Sequence, residues 1–234
     1  VARIAPQTRK AARSLSAHVW SFAAKPSGAR APELAHHNVF FCADPAREFD
    51  DLARGRMPAD PTLYICAEDR GTPSAPRALE RFEIIMNAPP LRPGVTPQAE
   101  ETHKCLTRTF PILRNHGLSF DPIPGPSPAL TGPQGFEALF PATQGALYGQ
   151  SPHGMMAAFQ RPRAVTRIPG LYLCGGGTHP GAGVPMSALS GAHAAAAILT
   201  RPTSTSASGQ TAMPGGISTP SLTAEPARSP SSPS

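Results

Sequence analysis

The chain has 234 residues, of which 30 are proline and 21 glycine, enough for one large or two small domains with much of the proline and glycine in connectors. Its formal net charge of +6 is carried by scattered single arginines, without basic blocks or interleaved aromatics, so a nucleic-acid partner is not expected. No apolar run approaches the roughly 20 residues that cross a bilayer, so any membrane contact is expected to be peripheral, favoured weakly by the positive charge.

The chain opens at Val1 rather than methionine, and Ala2 to Arg13 is basic and helix-prone, as though entered within an element. A segment of a longer protein is expected. Leu15, Val19 and Phe22 around Trp20 predict a strand, followed by a polar Pro/Gly loop over Lys25 to Pro32. His37 to Ala43 is again of strand type. Asp44 suits the N-cap of a helix over Pro45 to Arg54, with proline at its first position and Glu48, Asp50 and Asp51 on it. Thr62 to Cys66 and Arg81 to Asn87 predict two further strands, separated by a polar loop beginning at Glu68.

A helix is expected from about Thr96 to His116, with Ala99, His103, Leu106, Phe110 and Leu113 as its core face and Pro111 ending it early or kinking it. Glu100 and Glu101 fall in its first turn, where the helix dipole favours acids without any catalytic purpose. Ser119 to Pro133 reads as a connector, and Gly135 to Phe140 as one or two helical turns. Arg201 to Ser234 is so rich in Ser, Thr and Pro that it cannot bury enough surface to offset its ordering entropy, and disorder is expected there.

The four cysteines, Cys42, Cys66, Cys105 and Cys174, form no CxxC pair and sit in apolar contexts, which predicts buried, reduced thiols and a cytoplasmic setting. His36 and His37 are adjacent, so within a strand they would point to opposite faces and could not share one ion. No metal site is expected.

The most informative stretch is Ile168 to Leu199. Leu171 to Cys174 predicts a short strand that runs into Gly175, Gly176 and Gly177, with Gly181 and Gly183 following. Pro185 suits a first helical turn, and Met186 to Leu199 is rich in alanine. Strand, glycine loop and helix N-terminus together favour a phosphate, a carboxylate or another electron-rich group, although such turns also occur with nothing bound. The dinucleotide fingerprint GxGxxG is absent here, because Met186 stands where its third glycine belongs.

The run GLYLCGGGTHPGAGVPMSALSG, from Gly170 to Gly191, resembles the C-terminal flavin-binding signature of the bacterial phytoene-desaturase family, a branch of the FAD-dependent amine-oxidase-like flavoproteins. HHNVFFCADPAREFDDL, DPTLYICAEDRG and the strand from Glu83 to Pro90 resemble the branch of carotenoid 3,4-desaturases that act on hydroxylated or methoxylated carotenoids. The resemblance implies an α/β fold: an α+β substrate region over residues 1–130, the C-terminal part of a Rossmann-like FAD-binding domain over 131–200, and the tail over 201–234. It also implies FAD as cofactor, a carotenoid as substrate, and a separate N-terminal segment for the ADP half of FAD, without which these residues should bind FAD poorly. Cytoplasmic placement, with peripheral contact on the inner membrane, is the accompanying expectation.

Carried over by position, the resemblance assigns Gly175, Gly176, Gly177, Thr178, His179, Pro180, Gly181, Gly183, Val184, Pro185 and Met186 to the cofactor. FPATQGALYG, from Phe140 to Gly149, matches a family segment that lines the active-site region, and so draws attention to Tyr148 and His153. His179, His153 and Tyr148 are the candidate catalytic side chains, each with a competing structural role: a backbone-bonded loop histidine for His153, packing for Tyr148, a structural hydrogen bond for His179. Phytoene desaturase, carotenoid isomerase or a catalytically inactive remnant of the same family are the alternative readings.

Overall fold

The computed structural model describes residues 4, 5, 8, 11–71, 78–92, 108–154 and 156–200, with only the backbone of Ala158. The predicted tail, the helix start near Thr96 with Glu100, Glu101 and His103, and also Cys105, Met155 and part of the loop after Glu68 lie outside the described residues.

Six strands form one sheet: β1 (Ser16–Ser27), β2 (His37–Phe40), β3 (Leu63–Ala67), β4 (Glu80–Ala88), β5 (Ser119–Asp121) and β6 (Leu130–Thr131). They run in the order β2-β3-β4-β1-β5, with β6 also on β1, and every pairing is antiparallel. The fold is therefore a mixture of helices with an antiparallel sheet. No parallel strand pair occurs among the described residues.

Strands β3 and β4 alternate buried and half-exposed residues, the period expected of a sheet with one sealed face. Leu63, Ile65, Phe82, Ile84 and Met86 thus meet Trp20 and Ala24 of β1 in a single core. Helix α2, described over residues 108–115, closes that core from one side with Phe110 and Leu113. The Trp20 and Phe110 rings meet edge-on at 5.2 Å, and those of Phe22 and Phe120 at 5.3 Å, the arrangement that aromatic quadrupoles favour. Pro111 does not end α2, which continues past it to residue 115.

Two regions predicted as irregular are drawn into the sheet. β1 leaves β4 at Ala24, but Lys25, Pro26 and Ser27 then pair with β5 instead of looping. With one neighbour there instead of two, the N–H that Pro26 lacks costs little. The Ser119–Pro133 connector supplies β5 and β6, because the free edge of β1 offers backbone partners to any extended segment beside it.

Helix α1 (Pro45–Ala53) starts where Asp44 predicts, the Asp44 carboxylate accepting from Arg47 N at 3.0 Å. Glu48 on this helix is buried, and it accepts from Thr62 Oγ1 at 2.7 Å and Cys42 Sγ at 3.1 Å. It fastens α1 to the entrance of β3; burial and this carboxylate together raise the Cys42 thiol above its ordinary pKa. Helix α3 (Pro133–Leu139) supplies the helical turns expected from Gly135, beginning two residues earlier. Helix α4 (Val184–Leu199) follows the glycine loop as predicted, with proline in its first turn. No described helix is long and apolar enough to cross a membrane.

Candidate functional site

The glycine segment departs from prediction at its start. Leu171 to Cys174 is not a strand; only Tyr172 makes a bridge, to Val165, with Leu173 N donating to Ala164 O at 2.8 Å. An apolar run becomes a strand only where a neighbour pairs along it, and the described residues offer this run two positions. Cys174 at its end is exposed rather than buried, while Cys42 is buried and Cys66 half-buried as free thiols.

Beyond it the backbone turns sharply. Gly175 has φ +105° and Gly183 has φ +100°, conformations that favour glycine, and a Cβ at either would meet only open space. Behind the loop, Ser190 of α4 is fully buried; its Oγ accepts from Gly175 N at 2.7 Å and donates to Ser187 O at 2.8 Å. Gly176 lies against Ser187, whose Oγ would be 3.2 Å from an added Cβ. Gly183, the N-cap of α4, provides no side-chain cap, so the first-turn N–H groups of α4 point outward unsatisfied by any capping side chain.

The residue that holds this arrangement together is Arg161, which the sequence reading did not single out. Its guanidinium is buried and donates through Nη1 to Tyr148 O at 3.0 Å and Gly176 O at 2.9 Å, and through Nη2 to Gln150 O at 3.0 Å. It thereby clasps the glycine loop to the segment that carries Tyr148. Gly181 runs past the same side chain, an added Cβ falling 3.4 Å from Arg161 Nε. No salt bridge to Arg161 occurs among the described residues, and burial holds its pKa below the usual guanidinium value. A trace of this was visible in the sequence: from 138 to 200 there are three arginines, Arg161, Arg163 and Arg167, and no Asp or Glu. A buried cation, an uncapped helix N-terminus and a glycine backbone open to its front make a cradle for an anionic or electron-rich ligand.

The three candidate catalytic side chains are placed differently. The His179 ring stacks on Phe159 at 6.0 Å and on His193 of α4 at 6.5 Å, and its backbone N–H donates to Pro162 O. Thr178 beside it is buried. Tyr148 joins the cradle through its backbone carbonyl, while its side chain is half exposed. His153 is exposed, its backbone N–H accepted by Ser151 Oγ at 3.2 Å. Glu137 of α3 is a second residue the sequence did not flag. Its carboxylate accepts from Ala142 N at 2.8 Å and Gly145 N at 3.1 Å, and the first of these bonds chiefly holds its pKa below the carboxylate range. It shapes the loop that leads to Tyr148. Val184, at 85% exposure, Met186 and Leu189 are exposed apolar side chains on the first turns of α4, following the polar backbone of the loop.

Elsewhere the structure overturns the premise about the paired histidines. His37 lies opposite Cys66 across β2 and β3, but His36 sits in a bend before the strand, where alternation does not apply. Both rings reach Cys66, and one ligand atom from each of the three residues lies within 4.8 Å of the others.

No family model matches the chain. It is 59% identical over 194 residues to hydroxyneurosporene desaturase of Cereibacter sphaeroides, covering 83% of this chain and 38% of that protein. It is 54% identical over 188 residues to hydroxyneurosporene desaturase of Rhodobacter capsulatus, covering 80% and 37%. To 1-hydroxycarotenoid 3,4-desaturase of a Flavobacterium it is 31% identical over 190 residues, covering 79% and 37%. The chain thus spans less than two fifths of the length of these relatives. At such identity over most of its own residues, the chain belongs to the phytoene-desaturase family, matching part of the length of its relatives.

Proposed function

We propose that the chain works as part of an FAD-dependent carotenoid desaturase that removes two hydrogens from a hydroxylated or methoxylated acyclic carotenoid and so forms the 3,4 double bond. The observation that carries this is the 59% identity to a hydroxyneurosporene desaturase, against 31% to the more distant 3,4-desaturase. The cradle fits the chemistry. Two C–H bonds break and one C=C bond forms at carbons too weakly acidic for side chains alone, so a bound FAD supplies the electron acceptor.

The residues of this chain hold and orient. The backbone at Gly175 and Gly183 would let a flavin approach closely, and the uncapped N-terminus of α4, with the Arg161 charge bonded to the loop at Gly176, would favour an electron-rich group. His179 is fixed by its two ring neighbours as a wall of the site. Val184, Met186 and Leu189 give an apolar approach suited to a polyene, which methionine accommodates without a fixed shape. The sheet, with its sealed core, serves as the rigid wall of the substrate region. Because a long polyene resides in a bilayer, we infer peripheral contact of the working protein with the cytoplasmic face of the inner membrane.

The test is expression of the gene in its full reading frame in cells that accumulate hydroxyneurosporene, followed by pigment chromatography. A product with one more conjugated double bond is expected. Unchanged hydroxyneurosporene, or conversion of phytoene in its place, would overturn the assignment.

A further inference from the structure

We propose that His36, His37 and Cys66 form a binding site for a single borderline-soft divalent cation of the zinc type, at the outer edge of the sheet and independent of the desaturase reading. The three ligand atoms lie within 4.8 Å of one another, and His36 Nε2 is 3.6 Å from Cys66 Sγ. Bonds of about 2.3 Å to sulfur and about 2.0 Å to nitrogen at a tetrahedral angle span a distance of about 3.5 Å, so the pair needs almost no movement to take up zinc.

The surroundings of the rings select the required protonation. His36 Nδ1 is 2.8 Å from Arg70 O, and a carbonyl only accepts; Nδ1 therefore carries the proton and Nε2 turns its lone pair toward Cys66. His37 Nδ1 is 2.7 Å from the Tyr64 hydroxyl, and the Tyr64 ring stacks on the His37 ring at 6.0 Å. Metal-bound histidines use their second nitrogen in this way, and the outer partner fixes the ring. The backbone is held too. Ala67 N donates to His36 O at 2.9 Å, and His37 is in direct register with Cys66.

Three protein ligands leave a fourth position, and since His37 is exposed that position opens to water. The cation would tie β2, a four-residue edge strand, to β3 beside it. A cysteine, two imidazoles and no carboxylate favour zinc, cobalt or nickel over magnesium or calcium.

The competing account is a plain hydrogen bond from the Cys66 thiol to His36. Titration of the reduced, metal-free 234-residue chain with Co2+ separates the two. One equivalent should produce a thiolate-to-cobalt charge-transfer band and the strong visible bands of tetrahedral cobalt, both displaced by Zn2+. Cys66→Ser should lose the charge-transfer band, Cys174→Ser should keep it, and Tyr64→Phe should bind about tenfold more weakly. His37→Ala replaces an exposed side chain and tests the site without disturbing the core; Zn2+ should raise the melting temperature of the parent chain but not of this variant. Absence of the charge-transfer band, its survival in Cys66→Ser, or equal Co2+ affinity in His37→Ala would overturn the proposal.

Discussion

The sheet and the glycine segment are stabilised by different means. In the sheet, side chains do the holding: Trp20, Leu63, Ile65, Phe82, Ile84 and Met86 are sealed from water and interlock with Phe110 and Leu113 of α2. In the segment from 145 to 200 the backbone is held, by Arg161 and Ser190, while large apolar side chains such as Val184, Phe159 and Leu199 face outward. Burying apolar surface gives rigidity that is indifferent to detail, whereas a few directed bonds give a defined backbone shape with its front left open. The first arrangement suits a wall and the second suits a cradle. Binding sites are commonly loops carried on such a scaffold.

Trp20→Ala should have the largest effect, a loss of about 4 kcal/mol in urea unfolding, because it empties the centre of the sealed core. A loss below about 1 kcal/mol would mean that the sheet is not held by its interior. His18, on the same inner face of β1, comes next. Burial lowers its pKa from 6.5 to about 4, so the folded chain keeps it neutral where the unfolded chain would take up a proton. The resulting stabilisation is complete above pH 6.5 and is lost as pH falls to 4, about 3 kcal/mol in all. His18→Phe should remove that part of the pH dependence; an unchanged slope in the variant would sink the assignment.

Arg161→Leu should cost about 2 kcal/mol, leaving three carbonyls without their donor. Hydrogen exchange should quicken around 148–150 and 175–178 and stay unchanged in β3 and β4. Uniform quickening would erase the distinction between the two regions. Ser190→Ala is the smallest change, about 1 kcal/mol, and should show as faster exchange at Gly175 N, whose acceptor it removes.

Much of the sheet could be read from the sequence because its signals are local. Alternation marks β3 and β4, Asp44 and Pro45 mark the start of α1, and Pro185 with the following alanines marks α4. β5 and β6 carry no such pattern. They are short, proline-flanked segments made into strands by the free edge of β1, a partner distant in sequence. Leu171 to Cys174 fails in the opposite sense, having strand composition but little to pair with. The glycine cradle was legible as a turn before a helix, yet its clasp was not, because Arg161 bonds to carbonyls and every residue has one of those. Strand alternation does not govern His36, because that residue lies one position before β2 begins.

The clasp also bears on the order in which the chain assembles. Arg161 reaches Tyr148, Gln150 and Gly176, acceptors 13, 11 and 15 positions away, whereas β1 meets β4 across pairings such as Ser16 with Ala88. Short loops close at lower entropic cost and sooner than long ones, so the turn around the glycines can take shape while the sheet is still searching for its register. Pulse-labelled exchange during refolding should find Gly176 and its neighbours structured before β1. The most ligand-like part of the chain would then be among the first to form, a template present before the sheet is complete.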